Sequence, residues 1–141
     1  MFDLDLEKIP LGRKVEYDNE YNSELLFPLP RQMVREKAGI ILPLPFKGMD
    51  IWHAYEVSWL NSKGKPVVAI ATYTVPCDSP NLIESKSFKL YLNSFNQTEF
   101  SSVNVVKELM QNDLCRAAGA SIGVKIETIE EANQSQQVKE F

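Results

Sequence analysis

The sequence predicts a single α+β domain in which two strands, two helices and a third strand follow one another. Two patterns carry this prediction: paired apolar, β-branched runs on either side of a turn over residues 50–75, and apolar residues at three- and four-residue steps over residues 103–118. A length of 141 residues suits one domain with one core. Three strands leave a sheet that looks incomplete, so we expect a fourth strand beyond Phe141 or from another chain.

The first two strands are predicted to form a β-hairpin over residues 50–61 and 67–75. The first run alternates, and its odd-numbered residues from Ile51 to Trp59 are expected to share one face. The intervening turn offers Gly64 for a positive φ, and the second run is rich in β-branched residues. We interpret His53, Trp52, Tyr55 and Trp59 as structural sheet residues rather than as ligand-stacking residues.

The helical half of the domain is predicted over residues 84–118. Residues 84–95 fit a helix or a strand by periodicity, and the Glu and Ser residues at their start favour a helix N-terminus. Residues 103–118 form a clearer helix, with Ser101 or Ser102 as its N-cap and Gly119 at its end. Residues 122–129 alternate as a strand, and the polar residues 130–141 are predicted to end without a closing element.

The first 46 residues form an extended lead-in in this interpretation. Pro28, Pro30, Pro43 and Pro45 favour extended or polyproline-like chain lying over a core. Residues 31–38 between them are predicted as a short helix, and residues 76–81 as a loop.

Composition disfavours several classes of function. The formal net charge is −4 and there is no basic patch, which argues against direct binding of nucleic acid. No apolar run approaches the roughly 18 residues of a membrane span. The acidic N-terminus does not resemble a signal peptide, so a cytoplasmic protein without membrane contact is expected.

Metal chemistry has weak support in the sequence. Cys77, Cys115 and the single histidine, His53, have no metal-ligand spacing. A zinc site built from all three remains an alternative, and two small, partly buried thiols with a strand histidine are the favoured interpretation.

Residues 84–91 (ESKSFKLY) combine a carboxylate, hydroxyls and lysines at the start of the ambiguous segment. A helix N-terminus with Ser85 and Lys86 suits a phosphate, and the Glu84 carboxylate suits the N–H edge of a guanine-like ring. On these grounds alone, an ordinary amphipathic helix with a solvated Lys/Ser face is the stronger alternative.

The same octapeptide resembles the signature of the 7-cyano-7-deazaguanine reductases (QueF), the nitrile reductases of tRNA queuosine biosynthesis. Residues 44–52 and 55–64 resemble the N-terminal half of the long, two-module form, and the resemblance covers roughly residues 10–141. It implies the tunnelling fold (T-fold), an antiparallel sheet with two helices packed on one face. It also implies that residues 1–141 are one module of a two-module reductase.

The resemblance further implies an activity and its residues. These enzymes use NADPH to reduce the nitrile of 7-cyano-7-deazaguanine to an aminomethyl group, through a cysteine nucleophile and a proton-relaying aspartate. By the motif match, Ile83, Glu84 and Ser85 would bind the substrate. Ser85, Lys86 and, more weakly, Lys89 would bind NADPH.

The sequence departs from a complete enzyme of this family. The positions nearest to the expected cysteine are Leu60 or Asn61, and those nearest to the aspartate are Val67 or Val68. We therefore expect no catalytic residue in this chain, and a C-terminal module as the partner that carries the cysteine. The alternative is a non-catalytic purine-binding or scaffold module. A zinc-dependent cyclohydrolase of the same fold fits poorly because its ligands are missing. The open sheet edge favours a homo-oligomer, with a homodimer expected.

Overall fold

The computed structural model describes residues 20–137. A 3-10 turn at Ser23–Leu25 precedes nine elements in chain order. These are β1 (Pro28–Pro30), α1 (Arg31–Lys37), β2 (Met49–Leu60), β3 (Pro66–Pro76), β4 (Asn81–Ile83), α2 (Ser85–Asn93), α3 (Val103–Ala118), β5 (Gly123–Thr128) and α4 (Ile129–Gln137).

The main sheet is antiparallel and has the order β2-β3-β5. Side chains from this sheet, α2 and α3 form one buried core, whose largest members include Trp59, Tyr73, Tyr91, Phe95 and Met110. The α+β class, the hairpin and the third strand are thus confirmed. The expected fourth strand beyond Phe141 and residues 1–19 of the lead-in lie outside the described residues.

The strict alternation predicted for β2 is wrong, because a β-bulge interrupts it. Ala54 pairs with Ala71 and Val57 pairs with Ala69, so two residues, Tyr55 and Glu56, lie opposite one residue of β3. One extra residue moves the following side chains to the other face of the sheet.

Because of the bulge, the side chains at the two ends of β2 face different sides of the sheet from those predicted. Trp52 lies opposite the buried Tyr73, on the same face as Val57 and Trp59. The side chains of Ile51 and Tyr55 are instead 58% and 74% exposed. The even-numbered residues before the bulge and the odd-numbered residues after it therefore face the helices.

A small second sheet, absent from the sequence prediction, lies beside the motif. β1 pairs antiparallel with β4, so that Pro28 lies opposite Ile83 and Pro30 lies opposite Asn81. The loop predicted over residues 76–81 is confirmed except at its two ends, because β3 reaches Pro76 and β4 begins at Asn81. The extended chain around Pro28 and the short helix α1 agree with the prediction.

The two central helices resolve the ambiguity of residues 84–95. Ser85–Asn93 is helical, and α3 has the predicted bounds. Ser102 is its N-cap, with Oγ accepting from the Val105 N–H at 3.2 Å, and Gly119 ends it at a φ of 73°.

The prediction that residues after 129 form no further element is wrong, because α4 begins there. Thr128 Oγ1 accepts from the Glu131 N–H at 3.3 Å, and Glu131 Oε2 accepts from the Thr128 N–H at 3.3 Å. This is a capping box, and its Thr-x-x-Glu signature is readable in the sequence.

Replacing Thr128 by alanine is expected to lower the free energy of unfolding by about 1 kcal/mol, because one orphan N–H of α4 loses its acceptor. Urea unfolding followed by circular dichroism measures this change. Thr128→Ser keeps the hydroxyl and should retain most of the stability. Equal losses in both variants would contradict a capping role.

Candidate ligand site beside the motif helix

Phe27, the residue directly before the proline-rich strand β1, fixes the backbone of the motif. The Glu84 N–H donates to the Phe27 carbonyl at 2.9 Å, and the Phe27 N–H donates to Ser87 Oγ at 3.0 Å. The Ser87 hydroxyl in turn donates to the Glu84 carbonyl at 2.7 Å. These three bonds hold the turn from β4 into α2.

Glu84 is the N-cap of α2 and is only 3% exposed. Its Oε1 accepts from the Lys86 N–H at 3.1 Å, and its Oε2 accepts from the Ser87 N–H at 2.7 Å. A negative charge at a helix N-terminus is favourable. A carboxylate has about four acceptor positions, so the capping bonds leave each oxygen further capacity.

An aromatic cleft of about 250 Å³ lies between β2 and α2. The Trp52 and Phe88 rings stack with centroids 5.9 Å apart and planes 21° apart, and Tyr73 meets Phe88 edge-on at 5.0 Å. Ser85 and Lys89 line the cleft from α2 and are both exposed. The remaining lining residues are His53, Ala54, Glu56, Leu92 and Asn93.

A second cavity of about 80 Å³ also borders Trp52 and Phe88. Ile83 lines it together with Arg31 and Asp50. Since Trp52 and Phe88 line both spaces, this aromatic pair forms a wall that they share.

A buried arginine ties α1 to β2 beside the smaller cavity. Arg31 is 8% exposed; its Nε donates to Ser79 Oγ at 2.9 Å, and its guanidinium contacts Asp50 Oδ2 at 2.8 Å. Its N–H donates to the Pro80 carbonyl at 3.0 Å. A buried guanidinium requires such partners, and no local pattern in the sequence pairs residues so far apart.

The sequence-predicted site residues are not all brought together. Ser85 and Lys89 line the aromatic cleft, and Ile83 lines the smaller cavity. Glu84 and Lys86 line neither of these two spaces: Glu84 is the buried cap of α2, and the Lys86 N–H donates to it. Sequence reasoning missed Trp52 and Glu56 as cleft residues, because only the bulge reveals which way this part of β2 faces.

A buried carboxylate anchors the far end of the motif helix. Asp113 of α3 is 4% exposed and accepts from the Tyr91 hydroxyl at 2.7 Å and from the Tyr21 hydroxyl at 2.5 Å. Burial, and then the hydrogen bond to Asp113, raise the pKa of Tyr21 to about 12. The same causes raise the pKa of Tyr91. The network joins α2, α3 and the chain before β1.

The three residues of the alternative zinc site have separate surroundings. Cys115 Sγ accepts from the Ile122 N–H at 3.3 Å, whereas His53 Nδ1 lies 3.3 Å from Thr72 Oγ1. Cys77 lines a different cavity, with Arg35 and Phe46 among its neighbours. Over residues 20–137, no group of three or more His, Cys, Asp or Glu side chains could hold a metal ion. In the same residues, no helix is both long and apolar enough to cross a membrane.

The fold and the cleft define an α+β module with a small aromatic cleft beside a capped helix. The family model described as nitrile reductase, 7-cyano-7-deazaguanine reductase, N-terminal part, matches residues 17–126. The chain belongs to this family of N-terminal modules.

Two relatives show the extent of the match. A protein of Burkholderia thailandensis named NADPH-dependent 7-cyano-7-deazaguanine reductase is 56% identical over 122 residues, which are 86% of this chain and 44% of the relative. A protein of the same name from Dechloromonas aromatica is 58% identical over 121 residues, which are 85% of this chain and 43% of the relative. The chain thus spans less than half the length of these curated relatives.

Proposed function

We propose that this chain is the N-terminal module of a two-module, NADPH-dependent 7-cyano-7-deazaguanine reductase. The observation that carries the proposal is the motif helix, whose Ser85 and Lys89 line an aromatic cleft suited to a flat ring. The names of the relatives and their greater length support it. In this proposal the order β2-β3-α2-α3-β5 is the core of a T-fold, with residues 1–141 as one module.

The motif residues divide between the two ligands in this proposal. Ile83, Glu84 and Ser85 bind 7-cyano-7-deazaguanine, with Glu84 accepting from the N–H edge of the ring through the acceptor capacity that capping leaves. Ser85, Lys86 and Lys89 bind NADPH, since hydroxyls and ammonium groups suit its phosphates. When bound, NADPH supplies the hydride, while these side chains hold and orient it.

The nucleophile comes from outside this chain in the proposal. Leu60 and Val67, near the positions expected for the cysteine and the aspartate, have side chains that cannot act as nucleophile or proton donor. A C-terminal module carries both groups. Within residues 20–137, β2 is an edge strand of the main sheet, which favours an assembly in which the modules, and two copies of the whole protein, meet.

Reconstitution tests the proposal. The chain alone is expected to consume no NADPH with 7-cyano-7-deazaguanine, and addition of the C-terminal part of the Burkholderia thailandensis relative is expected to restore turnover. NADPH absorbance and mass spectrometry of the aminomethyl product measure it. That C-terminal part assayed by itself is the control.

Two results would change the assignment. A thioimide adduct on Cys77 or Cys115 would place the nucleophile in this chain. Ligand binding without turnover in the mixture would favour the alternative, a non-catalytic purine-binding or scaffold module.

A further inference from the structure

The aromatic cleft contains a carboxylate that the motif does not include. Glu56 belongs to the β-bulge of β2 and lines the cleft together with Trp52 and Lys89. Trp52, His53 and Ala54 of the regular part of β2 line the same cleft, and Glu56 extends this border into the bulge.

The Glu56 side chain also has no polar partner within the part of the chain that the structure describes. No ion pair or side-chain hydrogen bond engages it there, and its side chain is exposed. The Glu84 carboxylate, by contrast, already accepts two backbone N–H groups and is buried. Of these two residues, Glu56 is the exposed one that lines the cleft.

The wall and the size of the cleft select a flat ligand. Trp52 is 40% exposed and is backed by the buried Phe88, so its ring is supported in place. The volume of about 250 Å³ is below the roughly 300–1,000 Å³ of pockets that enclose drug-sized ligands. The cleft therefore takes one ring system, and the rest of a larger ligand would extend past Ser85 and Lys89.

We propose that Trp52 and Glu56 form a ring-binding subsite, in which Trp52 stacks on a heteroaromatic ring and Glu56 accepts a hydrogen bond from an N–H group of that ring or its amide. The inference rests on the proposed function. It adds two binding residues outside the octapeptide of residues 84–91, and it gives Trp52 a ligand-binding role in addition to its packing on Phe88.

Two ligands of the proposed reaction share this chemistry. The deazaguanine edge carries adjacent N–H donors, and the nicotinamide ring carries a carboxamide NH₂. The experiment therefore titrates 7-cyano-7-deazaguanine and NADP⁺ separately. The ligand whose binding changes in the variants contains the ring that occupies the subsite.

The fluorescence arm uses the chain combined with the C-terminal part of the Burkholderia thailandensis relative. Trp59 is 1% exposed, so Trp59→Phe leaves Trp52 as the exposed indole of this chain. One of the two ligands is expected to quench the tryptophan fluorescence of the Trp59→Phe variant. The same ligand is expected to leave the fluorescence of the Trp52→Phe variant unchanged. Equal quenching in both variants would overturn the stacking role.

The affinity arm compares Glu56→Gln with Glu108→Gln, an exposed change on α3. Calorimetric titration is expected to show about tenfold or greater weakening for the same ligand in Glu56→Gln and unchanged binding in Glu108→Gln. Wild-type affinity for both ligands in Glu56→Gln and Trp52→Phe, with binding lost in Glu84→Ala, would overturn this inference and leave the proposed function standing. Failure of the unmodified assembly to bind either ligand would overturn both.

Discussion

Replacing Glu84 by alanine is expected to weaken binding of 7-cyano-7-deazaguanine to the reconstituted protein by about 2–5 kcal/mol. The reason is that N–H donors desolvated in the complex would lose their charged acceptor. Calorimetric titration of the ligand measures the change. Glu84 also caps α2 through Lys86 and Ser87, so the variant should lose about 1 kcal/mol of stability as well.

A matched control separates the binding effect from the capping effect. Ser102 caps α3 through the Val105 N–H, away from the cleft, so Ser102→Ala should cost similar stability without changing ligand affinity. If Glu84→Ala and Ser102→Ala had the same small effect on affinity, Glu84 would be a helix cap and not a ligand contact.

Replacing Asp113 by alanine is expected to lower the free energy of unfolding by about 2–5 kcal/mol. The hydroxyls of Tyr21 and Tyr91 would both lose their acceptor, and a buried unsatisfied polar group costs about 1–3 kcal/mol. Arg116 contributes little, because its side chain is 72% exposed and lies 3.9 Å from the carboxylate. Urea unfolding gives the measured value.

Asp113→Asn is the conservative comparison. Its amide oxygen still accepts from the tyrosines, so most of the stability should remain. The pKa of Tyr21 should fall from about 12 toward 10.0, although burial, the largest cause of the shift, persists. An ultraviolet titration of tyrosinate follows this. An unchanged Tyr21 pKa together with unchanged stability in the alanine variant would contradict the network.

The local elements were predictable because their signals are local. The hairpin follows from two alternating runs around Gly64, and α3 follows from apolar spacing between Ser102 and Gly119. The capping box of α4 was equally visible at Thr128 and Glu131, and it was missed because the polar composition of residues 130–141 outweighed it.

The candidate site was only partly predictable. The motif, with Glu84, Ser85 and Lys89, is a contiguous segment, and its match to a family needed no structure. The partners of that segment come from distant parts of the chain: Phe27 fixes its backbone, and Trp52 packs on Phe88.

The sequence by itself determined the fold class, the order of the principal elements and the family, since each depends on residue type and spacing along the chain. Only the tertiary structure decided which side chains line the cleft. A one-residue bulge at Tyr55 and Glu56 reverses which side chains of β2 point toward the helices. The position of the bulge depends on pairing with β3 rather than on the residue pattern of β2 alone. For the same reason, Trp52 faces the helices and lines the cleft although it does not belong to the motif.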